Sequence, residues 1–185
     1  MTVTARPQIL GNGNGLQKGK AGQLPLNLTP LVGRRQQVAE LRRQLSDSRL
    51  VTLLGPGGVG KTRLAAETAK GAHEGGLGES HWAELAPVRS DLVELAVADA
   101  LGVPEGLAES ALGAVVEGLG SRRVLLVLDN AEHLVGTVAT LSVQLLASCS
   151  GLPILATSRE PLASPAPGLP SGPWGRRKCG LKGAS

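Results

Sequence analysis

Residues 50–73 read LVTLLGPGGVGKTRLAAETAKGAH: an apolar run, four glycines between Gly55 and Gly60, then Lys61-Thr62 opening a stretch of good helix formers. Glycines let successive backbone N–H groups turn toward one point, and a helix start just beyond adds positive potential there. The segment therefore predicts strand, anion-cradling loop and helix, with Leu64, Ala65, Ala69 and Ala72 on the helix's buried face. Gly55, Gly60, Lys61 and Thr62 meet the spacing G-x-x-x-x-G-K-[ST]. In that pattern the lysine reaches the β- and γ-phosphates of a nucleotide and the hydroxyl binds Mg²⁺. Gly57, Gly58, Val59 and Arg63 fall within or beside the cradle.

The rest of the chain alternates in the same way. Val38, Leu41 and Leu45 recur at helical spacing, so an amphipathic helix over 38–50 precedes the first strand. A second strand fits 81–86, a helix capped near Ser90 or Asp91 fits 91–101, and a further helix fits 107–119. Val124-Leu125-Leu126-Val127-Leu128 is apolar throughout, as a strand buried on both faces must be, and it ends at Asp129. A helix over 134–148 and a strand over 152–157 follow. Strands alternating with helices predict an α/β fold, a parallel sheet wrapped by helices. The 185 residues suit one such domain, and a chain with no Phe or Tyr must build its core from Leu, Val and Ala. Residues 1–28, with GNGNG at 11–15, read as a flexible leader, 29–160 as the domain, and the proline-rich 161–185 as a disordered basic tail.

The second metal contact of a phosphate cradle belongs at the C-terminal end of a neighbouring parallel strand. Asp129 stands there, although the same residue also reads as a helix cap. Asn130 and Glu132 follow, so either an amide or a carboxylate is available to polarise an attacking water, and the sequence leaves the choice open. His133 reads as a surface or capping residue, and His73 and His81 have no metal spacing. Thr157-Ser158-Arg159 closes the last strand. Position alone divides Arg159 evenly between a γ-phosphate contact and a solvent-facing side chain.

The formal charge of +4 raises nucleic acid as a partner, but its distribution argues otherwise. Between 36 and 158 there are nine Lys/Arg against fourteen Asp/Glu, a net of −5, so the basic character comes from the two ends. Solvated tails are the preferred reading, and direct DNA binding is not the leading one. Cys149 and Cys179 make no disulfide framework or metal site, which suits a reduced, cytoplasmic setting. No stretch approaches the length of a membrane span or the apolar core of a signal peptide.

Taken together, TPLVGRRQQVAELRRQL at 29–45, LVTLLGPGGVGKTRLAAETA at 50–69, ELAPV at 84–88, RVLLVLDNAEHL at 123–134 and ILATSREPL at 154–162 carry a family resemblance. The chain resembles the signal-transduction ATPases with numerous domains (STAND), in particular the NB-ARC-like domain of bacterial AfsR- and LuxR-type transcriptional regulators. The resemblance implies a P-loop NTPase fold binding ATP or ADP with Mg²⁺. It also implies that Val32, Gly33 and Arg34 lie against adenine and ribose, that Asp129 is the acidic residue of the Walker B strand, and that Arg159 is the sensor arginine. Such domains act as switches: ADP holds a resting form, ATP opens it, and slow hydrolysis resets it.

Three departures bear on that expectation. Arg35 stands where the family usually has Glu. The stretch after Leu162 matches neither the family's next strand nor its lid, winged helix and further domains, so the chain reads as a truncated form. A missing fifth strand in the usual order 5-1-4-3-2 would leave the phosphate-loop strand as an open edge. That predicts reduced stability, weak nucleotide affinity and pairing with itself or with full-length homologues, and the alternative functions are a non-catalytic interaction or decoy module and a DNA-binding protein using the basic ends.

Overall fold

The computed structural model describes residues 24–25, 33–104, 109–162 and, as backbone, 176–180. In chain order the elements are α1 (Arg35–Asp47), β1 (Leu50–Leu54), α2 (Lys61–Lys70), β2 (Glu79–Glu84), α3 (Val93–Ala100), α4 (Ala111–Leu119), β3 (Val124–Asp129), α5 (Val135–Ser148), β4 (Ile154–Ser158) and β5 (Arg176–Gly180). The strands make one sheet ordered β2-β3-β4-β1-β5, and every pair is parallel. Short 3-10 turns at Ser90–Leu92 and Ala131–His133 precede α3 and α5. The expected helix over 91–101 thus begins as a turn, and the strand expected at 81–86 lies two residues earlier.

The side-chain alternation of a strand divides the core between two helical layers. Val51, Leu53, Leu125, Val127 and Leu155 face α1 and α2, where they meet Leu41, Leu45, Leu64 and Ala69. Leu126, Leu128, Ile154 and Ala156 face α3, α4 and α5, against Val97, Val115, Val138 and Leu145. All six residues of β3 are buried, which is why its sequence reads as an unbroken apolar run rather than an alternating one. Leu24, in the segment expected to be a leader, packs on the α1–α2 layer, and residues 1–23 and 26–28 lie outside the described residues.

One expectation is overturned. The backbone of Arg176–Gly180 pairs in parallel with β1, from Leu50↔Arg176 to Leu54↔Gly180, so a fifth strand occupies the place thought vacant. β1 is flanked on both sides, and the open-edge argument for weak stability and self-pairing loses its premise. The proline-rich tail is likewise not strand-free, since 176–180 lies within it. No described helix is long and apolar enough to cross a membrane.

Arginines close two helix ends. From α1, Arg42 donates to the Glu67 and Thr68 carbonyls at the end of α2. Arg49 donates to the carbonyls of Leu146 and Cys149 at 2.7 Å and of Ser150 at 3.2 Å, tying the end of α5 to the start of β1. Last-turn carbonyls have no intrahelical partner, and a cation there also complements the helix dipole. Arg49→Ala should therefore cost about 2 kcal/mol in urea unfolding, with Arg49→Lys recovering part of it; a loss within about 0.5 kcal/mol of zero would contradict this role.

Candidate functional site

Order in the sheet sets what meets what. The glycine loop leaves β1, Asp129 ends β3 and Thr157 lies near the end of β4, so three C-terminal strand ends converge on one crevice. The loop enters α2 through Gly60, whose φ of 90° is a left-handed conformation that glycine adopts without strain. Lys61 opens the helix, 8% exposed, and its ammonium donates to the carbonyls of Gly55 at 2.8 Å and Pro56 at 3.1 Å. Among the described residues Lys61 has no carboxylate partner, so positive charge is held at the mouth of the helix without neutralisation.

Across the crevice Asp129 is fully buried. Its Oδ1 accepts from the Thr62 hydroxyl at 3.1 Å and from the Thr157 hydroxyl. Thr157 Oγ1 in turn accepts from the Asn130 N–H at 3.0 Å, and Asn130 sits in a left-handed conformation at φ 60°. The Asn130 amide donates to Glu84 Oε1 at 2.9 Å. Burial pushes the Asp129 carboxyl above its ordinary 3.8, the Glu84 charge adds to the rise, and the hydrogen bonds from Thr157, Thr62 and Asn130 oppose it.

A cavity of about 340 Å³ lies over the loop, and Gly57, Gly60, Lys61, Thr62, Asn130 and Glu132 are among its walls. Gly58, Arg63 and Arg159 complete the lining. Arg159 Nε pairs with Glu132 Oε1 at 3.1 Å, and the guanidinium lies over Gly57, where an added Cβ would come within 3.3 Å of Nη2. Glu132 Oε2 is buried and has no hydrogen-bond partner among the described residues. On the far side of the loop Arg34 donates to the Val59 carbonyl at 3.0 Å, with Gly33 exposed just before it at φ 77°. Val32 lies outside the described residues. The structure thus brings together the loop residues, Asp129, Asn130, Glu132 and Arg159, and hooks Arg34 onto the same loop. His133 Nε2 lies 3.1 Å from the Val88 carbonyl, and His133 is not among the residues lining this cavity.

Two participants were not singled out from sequence. Thr157 fixes the Asp129 carboxylate, and Glu84, in register with Asp129 across the β2–β3 pair, fixes Asn130. Both are polar residues at C-terminal strand ends, where ligands of open α/β sheets gather, but their partners are set by register between strands.

This core is the P-loop NTPase fold, with the loop, the acidic strand end and the strand order of that class. Solved structures alike in fold are Cdc6p from Pyrobaculum aerophilum and the STAND protein PH0952 from Pyrococcus horikoshii, which carries a tetratricopeptide repeat sensor. The first has a TM-score of 0.57 and 21% identity, over 84% of this chain and 48% of that one. The second has a TM-score of 0.54 and 16% identity, over 92% of this chain and 26% of that one. Among curated proteins, Rv0890c of Mycobacterium tuberculosis, named as a candidate HTH-type transcriptional regulator, is 45% identical over 124 residues. That match covers 66% of this chain and 14% of the relative. Rv0894 of the same organism, which has no functional name, is 45% identical over 137 residues, 72% of this chain and 34% of its own length. The chain therefore spans a minor part of the curated relatives it matches. No protein-family model matches it.

The raised carboxyl of Asp129 fixes the sign of a pH effect. A folded-state pKa above the unfolded value means that the folded state holds this proton more tightly. The group's contribution to stability is then present below pH 3.8 and lost as pH rises through the raised value. At neutral pH the charge costs stability. Asp129→Asn, which can keep the Oδ1 hydrogen bonds, should match the wild-type urea midpoint near pH 3 and equal or exceed it at pH 7; a variant clearly less stable at pH 7 would contradict this.

Proposed function

We propose that the described core is a nucleotide-binding module of the P-loop ATPase type, taking ATP or ADP with Mg²⁺, and that it serves as the nucleotide switch of a STAND-like transcriptional regulator. The observation that carries the reading is Lys61: a nearly buried ammonium at the N-terminus of α2, held by two loop carbonyls and, among the described residues, by no carboxylate. Buried charges are ordinarily paired, and an anion supplied from outside is the natural partner for this one. The glycine loop from Gly55 to Gly60 supplies backbone N–H groups for the same phosphates, while Arg63 flanks them at the cavity wall.

Asp129 and Thr62 fit a divalent cation. Their oxygens converge at 3.1 Å, and the carboxylate is buried with no ion pair among the described residues. A site of one carboxylate and one hydroxyl, completed by phosphate oxygens and water, suits Mg²⁺ rather than a metal needing a protein cage. Among the described residues no cluster of three His, Cys, Asp or Glu could form such a cage. Bound Mg²⁺ would neutralise charge on the β- and γ-phosphates.

For hydrolysis, Glu132 is the better candidate to orient water, since its Oε2 is unengaged while the Asn130 amide is held by Glu84. Arg159 lies over Gly57 at the phosphate end of the cavity, where its guanidinium can sense a γ-phosphate. Gly33 and Arg34 border the loop on the side assigned to adenine and ribose. Hydrolysis is expected to be slow, because the Arg159–Glu132 pair engages part of both side chains that the reaction would use. Direct DNA contact is not part of the proposal, given the net charge of −5 between 36 and 158.

Thermal unfolding with nucleotide tests the reading. Mg·ATP and Mg·ADP should each raise the wild-type Tm, by an amount that grows with ligand concentration as binding to the folded state requires. In Thr62→Val the extra rise due to Mg²⁺ should vanish while a smaller, metal-independent shift remains. A wild-type protein whose Tm does not move with either nucleotide would overturn the proposal.

A further inference from the structure

Helix α3 is apolar on two faces. Val93, Val97 and Ala100 are buried against the sheet layer, while Leu92 and Leu95 face outward, 45% and 46% exposed. Leu92, at the end of the turn that leads into α3, and Leu95 form with half-buried Ala96 a stripe at i, i+3 and i+4, the spacing of a contact face rather than a solvated one. The stripe borders a cavity of about 550 Å³, closed by Val88 on one side and by Val103 and Ala111 on the other. That volume lies within the roughly 300–1,000 Å³ of sites that bury a ligand. This cavity shares no lining residue with the one over the phosphate loop.

Apart from Arg89, which is paired with Asp91, the charge around it is acidic. From Ser90 to Ser121 the described residues include Asp91, Glu94, Asp99, Glu109 and Glu117 and not one Lys or Arg. Asp99 and Glu109 line the cavity itself. Asp91 is paired with Arg89 at 3.2 Å, whereas Glu94, Asp99, Glu109 and Glu117 have no ion pair among the described residues. An apolar stripe inside an acidic rim repels nucleic acid, an anionic membrane surface and a second copy of the same face.

We propose that this groove between α3 and α4 docks a cationic amphipathic helix from a partner protein. The partner sets apolar side chains at i, i+3, i+4 and i+7 on Leu92 and Leu95, and its lysines or arginines meet the acidic rim. Because the groove is separate from the loop cavity, the partner and a nucleotide can occupy the protein together.

The test uses the full chain and a fluorescent Leu/Lys peptide of about 18 residues with its leucines on one helical face, followed by anisotropy. Two controls accompany it: the same residues shuffled so that the leucines are dispersed, and the patterned peptide with Glu for Lys. Wild type should bind the patterned peptide at least about tenfold more tightly than either control. The doubles Leu92→Ser/Leu95→Ser and Asp99→Lys/Glu109→Lys alter exposed positions, so circular dichroism should show the wild-type fold; each should weaken binding at least about tenfold. Equal affinity for the shuffled peptide, binding unchanged in both variants, or no binding at low salt would overturn the proposal. So would concentration-dependent self-association that Leu92→Ser/Leu95→Ser abolishes, since the occupant would then be a second copy.

Discussion

A carboxylate without solvent contact sits where β3, β4 and α2 meet, and among the described residues two threonine hydroxyls and the Asn130 amide, not a cation, meet its oxygens. Placing Asp129 there is unfavourable, as the upward push on its carboxyl shows, and the surrounding hydrogen bonds offset only part of the cost. The arrangement persists because the rest of the fold fixes it. β3 is buried along its whole length, so its end cannot move outward to hydrate the charge. Thr157 arrives on β4 through the β3–β4 pairing, and Thr62 arrives on α2, whose start is set by Gly60. Opposite, at the start of α2, lies Lys61, which has no ion pair among the described residues. A buried carboxylate at the end of β3 and a nearly buried ammonium at the start of α2 are the features on which the proposed nucleotide and Mg²⁺ site rests.

Much of this was legible in the sequence. The glycine loop, the apolar run of β3 and the helical spacing of Val38, Leu41 and Leu45 are local signals, and each element formed within a few residues of its expected bounds. The convergence of Asn130, Glu132 and Arg159 with the loop followed from strand order. Less visible were Thr157 and Glu84, because their roles depend on register between strands far apart in sequence. The Arg159–Glu132 pair was equally hidden, since a side-chain pairing has no periodic signature.

The fifth strand was missed for a different reason. Arg176-Arg177-Lys178-Cys179-Gly180 has neither the apolar run of a central strand nor an alternating pattern, and it follows a proline-rich stretch. Its strand character comes from pairing with β1, which lacks any other partner on that side. Charged residues are common on edge strands, where they discourage pairing with further chains. Composition therefore pointed to a tail at the one place where non-local hydrogen bonding decides the conformation, and with β1 enclosed the phosphate loop is anchored on a central strand.

The central claim, that Lys61 is held ready for the phosphates of a nucleotide, is tested most directly by isothermal calorimetry of Mg·ATP and ADP against wild type and Lys61→Ala, both shown to be folded by circular dichroism. The account predicts that wild type binds and that Lys61→Ala loses at least about tenfold, or about 1.4 kcal/mol. A folded wild-type protein that binds neither nucleotide, or a Lys61→Ala variant that binds as well as wild type, would contradict it.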